Sequence, residues 1–318
     1  ALLLHGDGTR RVIPGAKNAA FIKLDAEGEE INIIQGGAEF FARESPLVMF
    51  ELKHGSTVNH GLIESVQKHG FQTYRLVPGL NLLEPFDPSI EADAFLLNLF
   101  ACKKVTANAL EQRGLLATTV AAVPVPTSAV TFGTMESRWP FARQWTSDRR
   151  SDRPAHSLYM NAIELWAQAQ DVALSSQVRL GSLHQAFHTL SQSVNQHMSL
   201  ARLWSLGRVA RDLGLRSTAL KCAHHALNLL LQDPTTSLDE ACLVPAPSFE
   251  PVDPVTRRRE WLLACTIHAR EALRSFSSYF LAPADGQKEL KALAETGFMQ
   301  PEMAMRWQLV QRRSQAKQ

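Results

Sequence analysis

Apolar and polar positions change their period along this chain, and the change marks two regions. From residue 20 to about 103, short apolar runs alternate with amphipathic stretches, which is the pattern of an α/β fold. Residues 20–24 (Ala-Phe-Ile-Lys-Leu) form a run broken only by Lys23, which predicts a strand buried on both faces of a parallel sheet. Residues 29–43 place Ile31, Ile34, Ala38 and Phe41 at helical spacing, and Ser45-Pro46 closes that helix. A second strand is predicted over 47–51 and a helix over 62–69, ended by Gly70. A third strand covers 73–77, Pro78-Gly79 makes a turn, and a fourth strand covers 95–102. No helical period separates the last two strands, so they are expected to pair antiparallel, with 83–94 as the connecting loop.

Beyond residue 104 the period is lost and then returns as a helical one. Residues 105–156 carry Val123-Pro124-Val125-Pro126 and Ser147-Asp-Arg-Arg-Ser-Asp-Arg-Pro154, turn-rich chemistry that predicts a linker. Residues 157–318 read as an all-helical region, interrupted over 233–254 where Pro234, Pro245, Pro247, Pro251 and Pro254 forbid helix. Within it Leu206, Gly207, Ala210, Ala219, Ala223 and Ala226 resemble the small and apolar positions of a tetratricopeptide repeat, with Leu213-Gly214 as the turn between two antiparallel helices. Residues 159–190 match more loosely, so helical pairs are expected without a regular solenoid. Trp139, Trp145 and Trp166 are expected to anchor the helical region against the α/β one.

The chemistry-bearing residues cluster at 21–30, Phe-Ile-Lys-Leu-Asp-Ala-Glu-Gly-Glu-Glu, where a strand runs into a carboxylate-rich turn and then a helix. Lys23, Asp25, Glu27, Gly28, Glu30, Gly36 and Glu51, with Pro46 before the second strand, resemble the signature of the FkbM family of S-adenosylmethionine-dependent methyltransferases. Glu29 and Gly37 depart from that signature, which has a small residue and an alanine there. The resemblance spans roughly residues 18–104 and implies the C-terminal half of a Rossmann-like class I methyltransferase sheet, whose final strand slots antiparallel between its two predecessors. It further implies methyl transfer from S-adenosylmethionine to a small-molecule or glycan hydroxyl. By the same resemblance the first strand is the fourth of the domain and lies where strand order reverses, the place at which open α/β sheets bind ligands. Asp25 and Glu27 are then the candidate catalytic pair, aligning or deprotonating a hydroxyl acceptor. Glu51 and Glu30 are candidates for substrate binding. An Asp and a Glu ahead of a helix are also ordinary capping residues, and that explanation stands beside the catalytic one. The Gly-rich loop and ribose-binding acid of the family have no counterpart here, so no cofactor-binding residue is assigned. The opening Ala1-Leu-Leu-Leu4 reads as cut from a longer protein, and the chain is not expected to hold the cofactor alone.

His5-Gly-Asp-Gly8 imitates a cofactor loop, yet about a dozen residues before the first strand leave no room for the missing crossovers. A formal charge of +2 gives no bulk argument for nucleic acid or an anionic membrane. Arg257-Arg-Arg259 and Arg312-Arg313 with Lys317 lack interleaved aromatics and are expected to be solvated. No stretch reaches the roughly twenty apolar residues of a spanning helix. Cys102, Cys222, Cys242 and Cys265 are widely spaced, which predicts reduced thiols, a cytoplasmic setting and neither zinc nor disulfides. His54, His60 and His69 lack ligand spacing, which also disfavours a metal-dependent hydrolase built on Asp25, Glu27 and His54. The second functional class open to this sequence is a non-catalytic module that binds a protein partner through its helical region.

Overall fold

The computed structural model describes residues 2–4, 10–12, 19–26, 28–54, 57–121, 128–274 and 284–315. Glu27, the His5-to-Gly8 turn, the Val123-to-Pro126 run and Lys317 lie outside the described residues. The chain divides into two units, residues 1–121 with 175–180, and residues 122–174 with 181–318.

The first unit is built on a five-stranded mixed sheet. Strands β1 (Leu2–Leu4) and β2 (Arg10–Val12) form a separate antiparallel pair. The main sheet uses β3 (Phe21–Leu24), β4 (Leu47–Glu51), β7 (Gln72–Val77), β8 (Leu82–Pro85) and β9 (Asn98–Cys102), in the order β3-β4-β9-β7-β8. β3 and β4 run parallel, whereas β9 is antiparallel to both of its neighbours, β4 and β7. The last strand in sequence therefore fills the gap between two earlier ones, as expected. Two features differ. The expected 83–94 loop begins inside β8, which pairs antiparallel with β7 and aligns Leu82 with Val77. A small hairpin, β5 (Lys53–His54) with β6 (Thr57–Val58), stands directly after β4.

Side-chain alternation along the strands sorts the core into two layers. Val48, Phe50, Leu99 and Ala101 face one way and pack with Ile34, Phe41, Leu62 and Val66. These four come from α1 (Glu30–Gly36), α2 (Ala38–Arg43) and α3 (His60–Lys68). Phe100 and Cys102 face the other way, toward Tyr74, Leu83, Leu116 and Ala107 of α4 (Lys104–Gln112). The single helix expected over 29–43 is thus two. The break falls at Gly37, where a β-carbon would meet the Ile33 carbonyl at 3.1 Å and the Phe41 ring at 3.2 Å. Two consecutive glycines weaken the helix there, and the close approach of Phe41 requires one of them.

β3 corrects another expectation. It is not buried on both faces: Phe21 is 52% exposed, and among the described residues β4 is its only neighbour in the sheet. An apolar run identifies a strand but not its position in the sheet. The opposite edge is closed: Leu83 of β8 donates its N–H to Leu115 and accepts from Ala117, both at 2.9 Å.

The second unit is helical. It contains α5 (Phe132–Glu136), a 3-10 helix (Pro140–Asp148), α6 (His156–Ala169), and α7 (Ser176–Gln196) from residue 181 on. Then follow α8 (Leu200–Asp212), α9 (Arg216–Gln232), α10 (Arg258–Leu273), α11 (Ala284–Thr296) and α12 (Pro301–Gln315). The stretch expected as a linker over 105–156 therefore contains α4, α5 and the 3-10 helix. α8 and α9 form a tight hairpin turned at Gly214, whose φ of 78° suits glycine. Gly207 lets them touch, since a β-carbon there would lie 3.1 Å from the Cys222 β-carbon.

Trp139, Trp145 and Trp166 pack inside this unit. Trp139 stacks on Phe141, Phe141 stacks on Trp261, and Trp145, Trp204 and Phe249 surround the Trp261 ring. The proline-rich interruption is not a surface loop either. Leu238, Ala241, Cys242, Leu243, Val244, Ala246 and Phe249 are all buried. A non-helical segment inside a helical core must satisfy its backbone by other means. Ser205 Oγ accepts the Leu243 N–H at 3.0 Å, and the Tyr159 hydroxyl donates to the Ala241 carbonyl.

Candidate functional site

The turn between β3 and α1 carries most of the sequence-predicted site. After Leu24 the chain leaves the sheet, and Gly28 takes a φ of 106°, a value that disfavours any side chain. Glu30 then reaches backward. Its carboxylate accepts the Ala26 N–H at 2.9 Å and the Gly28 N–H at 3.1 Å, and the residue is 4% exposed. Expected as a substrate ligand, Glu30 is instead the lock of its own turn. Charge-assisted bonds to two amides give a buried carboxylate the compensation it needs. The capping alternative concerned Asp25 and Glu27; α1 has no side-chain cap at its start, the amides of the turn are bonded by Glu30, and Asp25 is exposed and paired with Lys23.

Asp25 lies just past the carboxyl end of β3 and is exposed. Its carboxylate pairs with Lys23 Nζ at 2.6 Å, and both side chains are about half exposed (55% for Lys23, 46% for Asp25). That hydrogen bond and the Asp25 charge raise the Lys23 pKa above its ordinary value, and Glu51 adds in the same direction. Glu51 ends β4, half-buried, and its strand is in register with β3 so that Leu24 aligns with Phe50. Asp25 and Glu51 thus follow the last aligned pair of two parallel neighbours, with Lys23 between their charges. Glu27 lies outside the described residues. Such a carboxyl end is the binding side of an open α/β sheet.

A cleft of about 430 Å³ runs along the free side of β3. Strand residues Phe21, Lys23 and Asp25 form one wall, and Ile33 of α1 with Phe40 and Phe41 of α2 form the other. Its lining is mostly apolar with one ion pair at its mouth, a composition suited to an organic ligand or a polypeptide.

Burial raises the pKa of the Tyr74 hydroxyl and of the Cys102 thiol within the first unit's core, and the remaining perturbed charged groups are mostly in the second unit, where they are structural. Arg202 is fully buried on α8 and forms two bonds to Glu240, both at 2.8 Å, while donating to the Ser193 carbonyl. His156 Nδ1 lies 2.9 Å from the same carboxylate. Burial pushes the Glu240 pKa up, but Arg202 and His156 outweigh it and hold the group below its ordinary value. Arg208 likewise ties Asp212 and Glu250 together and donates to the Val244 carbonyl. These bonds fasten the largely buried 238–249 stretch to α8. All four cysteines are free and buried, and burial lifts the Cys102 thiol to about 11 and that of Cys222 to about 12. None is poised as a nucleophile.

The arginine run at 257–259 is engaged, which corrects the expectation of a solvated face. Arg257 lies over the Phe298 ring, Arg258 pairs with Asp148 at 2.7 Å and covers Trp145, and Arg259 donates to the Leu230 carbonyl. Among the described residues, no group of three or more His, Cys, Asp or Glu side chains could hold a metal ion. No helix among them is long and apolar enough to cross a membrane. No family model, curated protein or solved structure matches the chain.

Proposed function

We propose that the first unit is the acceptor side of an S-adenosylmethionine-dependent methyltransferase of the FkbM kind, and that Asp25, with Glu27 two residues on in the sequence, acts on a sugar or secondary-metabolite hydroxyl. The observation that carries this reading is the antiparallel insertion of β9 between β4 and β7, beside a strand whose carboxyl end bears the Lys23-x-Asp25 motif. Together they match the sheet end and the signature that the sequence resembles. In this reading Asp25 accepts or orients the acceptor proton, a role worth about 10²–10⁴ in rate for a positioned base. Lys23 pairs with that carboxylate, and Glu51 borders the acceptor from the next strand.

The cofactor supplies the methyl group when bound, but the described residues do not fit it. Glu30 is taken up by two backbone amides, and the walls of the cleft are mainly apolar. No step is therefore assigned to cofactor-binding residues of this chain. The test is to determine the coding sequence upstream of Ala1. A strand followed by a Gly-rich loop supports the reading, and a start codon directly before Ala1 contradicts it. In the longer product, Asp25→Asn is expected to lower methyl transfer about 100-fold with the fold intact.

A second reading is favoured by the Glu30 lock, which leaves the turn with fewer free carboxylates than the signature suggests. In that reading the α8–α9 hairpin is a tetratricopeptide-like element, and the helical unit binds a protein partner without catalysis.

A further inference from the structure

The non-helical stretch between α9 and α10 is held the way a bound peptide is held. Arg202, Ser205, Arg208 and Arg211 recur every third residue and form one inclined row on the surface of α8. In the same order they take the Glu240 carboxylate, the Leu243 N–H, the Val244 carbonyl and the Pro245 carbonyl, at 2.8, 3.0, 3.3 and 3.4 Å. The stretch therefore follows that row from one end of α8 toward the other. α6 flanks it, with His156 on Glu240 and the Tyr159 hydroxyl on the Ala241 carbonyl. α10 takes the other end, where the Phe249 ring lies 6.1 Å from Trp261 and 5.4 Å from His268. Three alternate helices thus line a channel for an extended chain. Its contacts are of two kinds. Those to Ala241, Leu243, Val244 and Pro245 reach main-chain atoms, which every sequence offers. The pair with Glu240 asks for a carboxylate, and the site of Phe249 asks for a ring.

We infer that this channel is a peptide-binding groove and that residues 239–249 are its built-in ligand, exchanged for an extended segment of a partner protein. The segment that fits carries a carboxylate for Arg202 and, nine residues on, an aromatic ring for the α10 end. Main-chain recognition accepts such a segment whatever its other side chains, provided they are small or apolar enough for a buried channel. Losing the occupant outright would leave Arg202 without a carboxylate, which is costly. Exchange differs from loss, because the incoming carboxylate takes the place of Glu240 and neither end state contains a lone buried charge. The flanks are exposed at Asp233, Pro234 and Thr235 on one side and at Pro251, Asp253 and Val255 on the other, as a segment that leaves and returns requires.

The groove goes beyond both functional readings. Failure of the peptide test strikes the groove alone, since methyl transfer by the first unit and partner binding on another helical face are separate activities. The probe is a fluorescein-labelled peptide of residues 237–250, titrated by anisotropy into the full 318-residue chain and into its Glu240→Gln variant. The variant's own occupant keeps its shape and loses its charge, so the peptide supplies the missing carboxylate. Binding to the variant is expected to be at least about 30-fold tighter than to wild type. A peptide carrying the same Glu240→Gln change should lose that advantage. Circular dichroism identifies a variant that fails to fold. In that case protease sites placed after Thr235 and after Val255 cut the occupant free in place, and the labelled peptide is expected to exchange into the cut chain while the helices persist. A folded variant that ignores the peptide overturns the inference, as does one that binds the two peptides alike. So does a cut chain that takes up no label or whose helices melt when the occupant leaves. Dimers of the variant in place of peptide binding would give the groove to a second copy and overturn the assignment of a partner.

Discussion

The two units differ in what their buried charges hold. The α/β unit leaves Lys23 and Asp25 half exposed at the end of β3 and buries Glu30 against backbone amides of its own turn and Glu84 against Arg75. The helical unit buries Arg202 and Glu240 completely and uses them to hold a non-helical segment in place. Exposed pairs contribute little to stability and remain available for chemistry, whereas buried pairs are costly to break and are unavailable. Strong electrostatics therefore points away from function in this molecule, toward architecture.

The largest test of that contrast is Glu240→Ala. It leaves the buried Arg202 guanidinium without its carboxylate and releases the non-helical segment from α8, so a loss of about 3–5 kcal/mol is expected in urea unfolding. A result below 1 kcal/mol would mean that the buried network does not carry the helical unit.

Acidification comes next. His268 on α10 is 6% exposed, its ring packs against Phe249, and its Nδ1 has no hydrogen-bond partner among the described residues. Burial lowers its pKa to about 4 from 6.5; Glu302 opposes that shift, and Arg211 and Arg306 reinforce it. The unfolded chain binds this proton below about pH 6.5 and the folded chain only below about pH 4. Stability is therefore full above pH 6.5 and is lost as pH falls toward 4, by up to about 3 kcal/mol. His268→Phe should flatten that part of the pH profile, and an unchanged profile would remove His268 as its source.

Gly207→Val should cost about 1–3 kcal/mol by forcing α8 and α9 apart. At the β3–α1 turn, Glu30→Ala is expected to cost about 1–3 kcal/mol, because two amides lose their acceptor. Asp25→Asn should change stability by less than about 0.5 kcal/mol. If the last two were reversed in size, Asp25 would be the structural residue and Glu30 the better candidate for chemistry.

Much of the α/β unit was legible in the sequence because apolar runs, glycines and prolines punctuate it locally. The position of β9 between β4 and β7 followed from the missing helix before it and from the resemblance. The edge position of β3 was not legible, since Phe-Ile-Lys-Leu reads alike at an edge and in a sheet centre. The reach of Glu30 back to Ala26 and Gly28 was missed, although a glutamate two residues after a glycine turn was available as a hint. The prolines at 233–254 excluded an α-helix there, although a short 3-10 helix forms at Pro247–Phe249. They could not reveal burial, because that depends on Arg202 and Arg208, distant in sequence and ordinary in appearance. Trp139, Trp145 and Trp166 were read as anchors between regions, and pattern alone cannot say which core an aromatic joins.

The central claim is the proposal that the exposed carboxylate at the end of β3 belongs to the acceptor side of a methyl-transfer site, with no place for the cofactor among the described residues. Isothermal titration of S-adenosylmethionine into the 318-residue chain tests it most directly. The account predicts no binding heat, and saturable binding with a micromolar dissociation constant would contradict it.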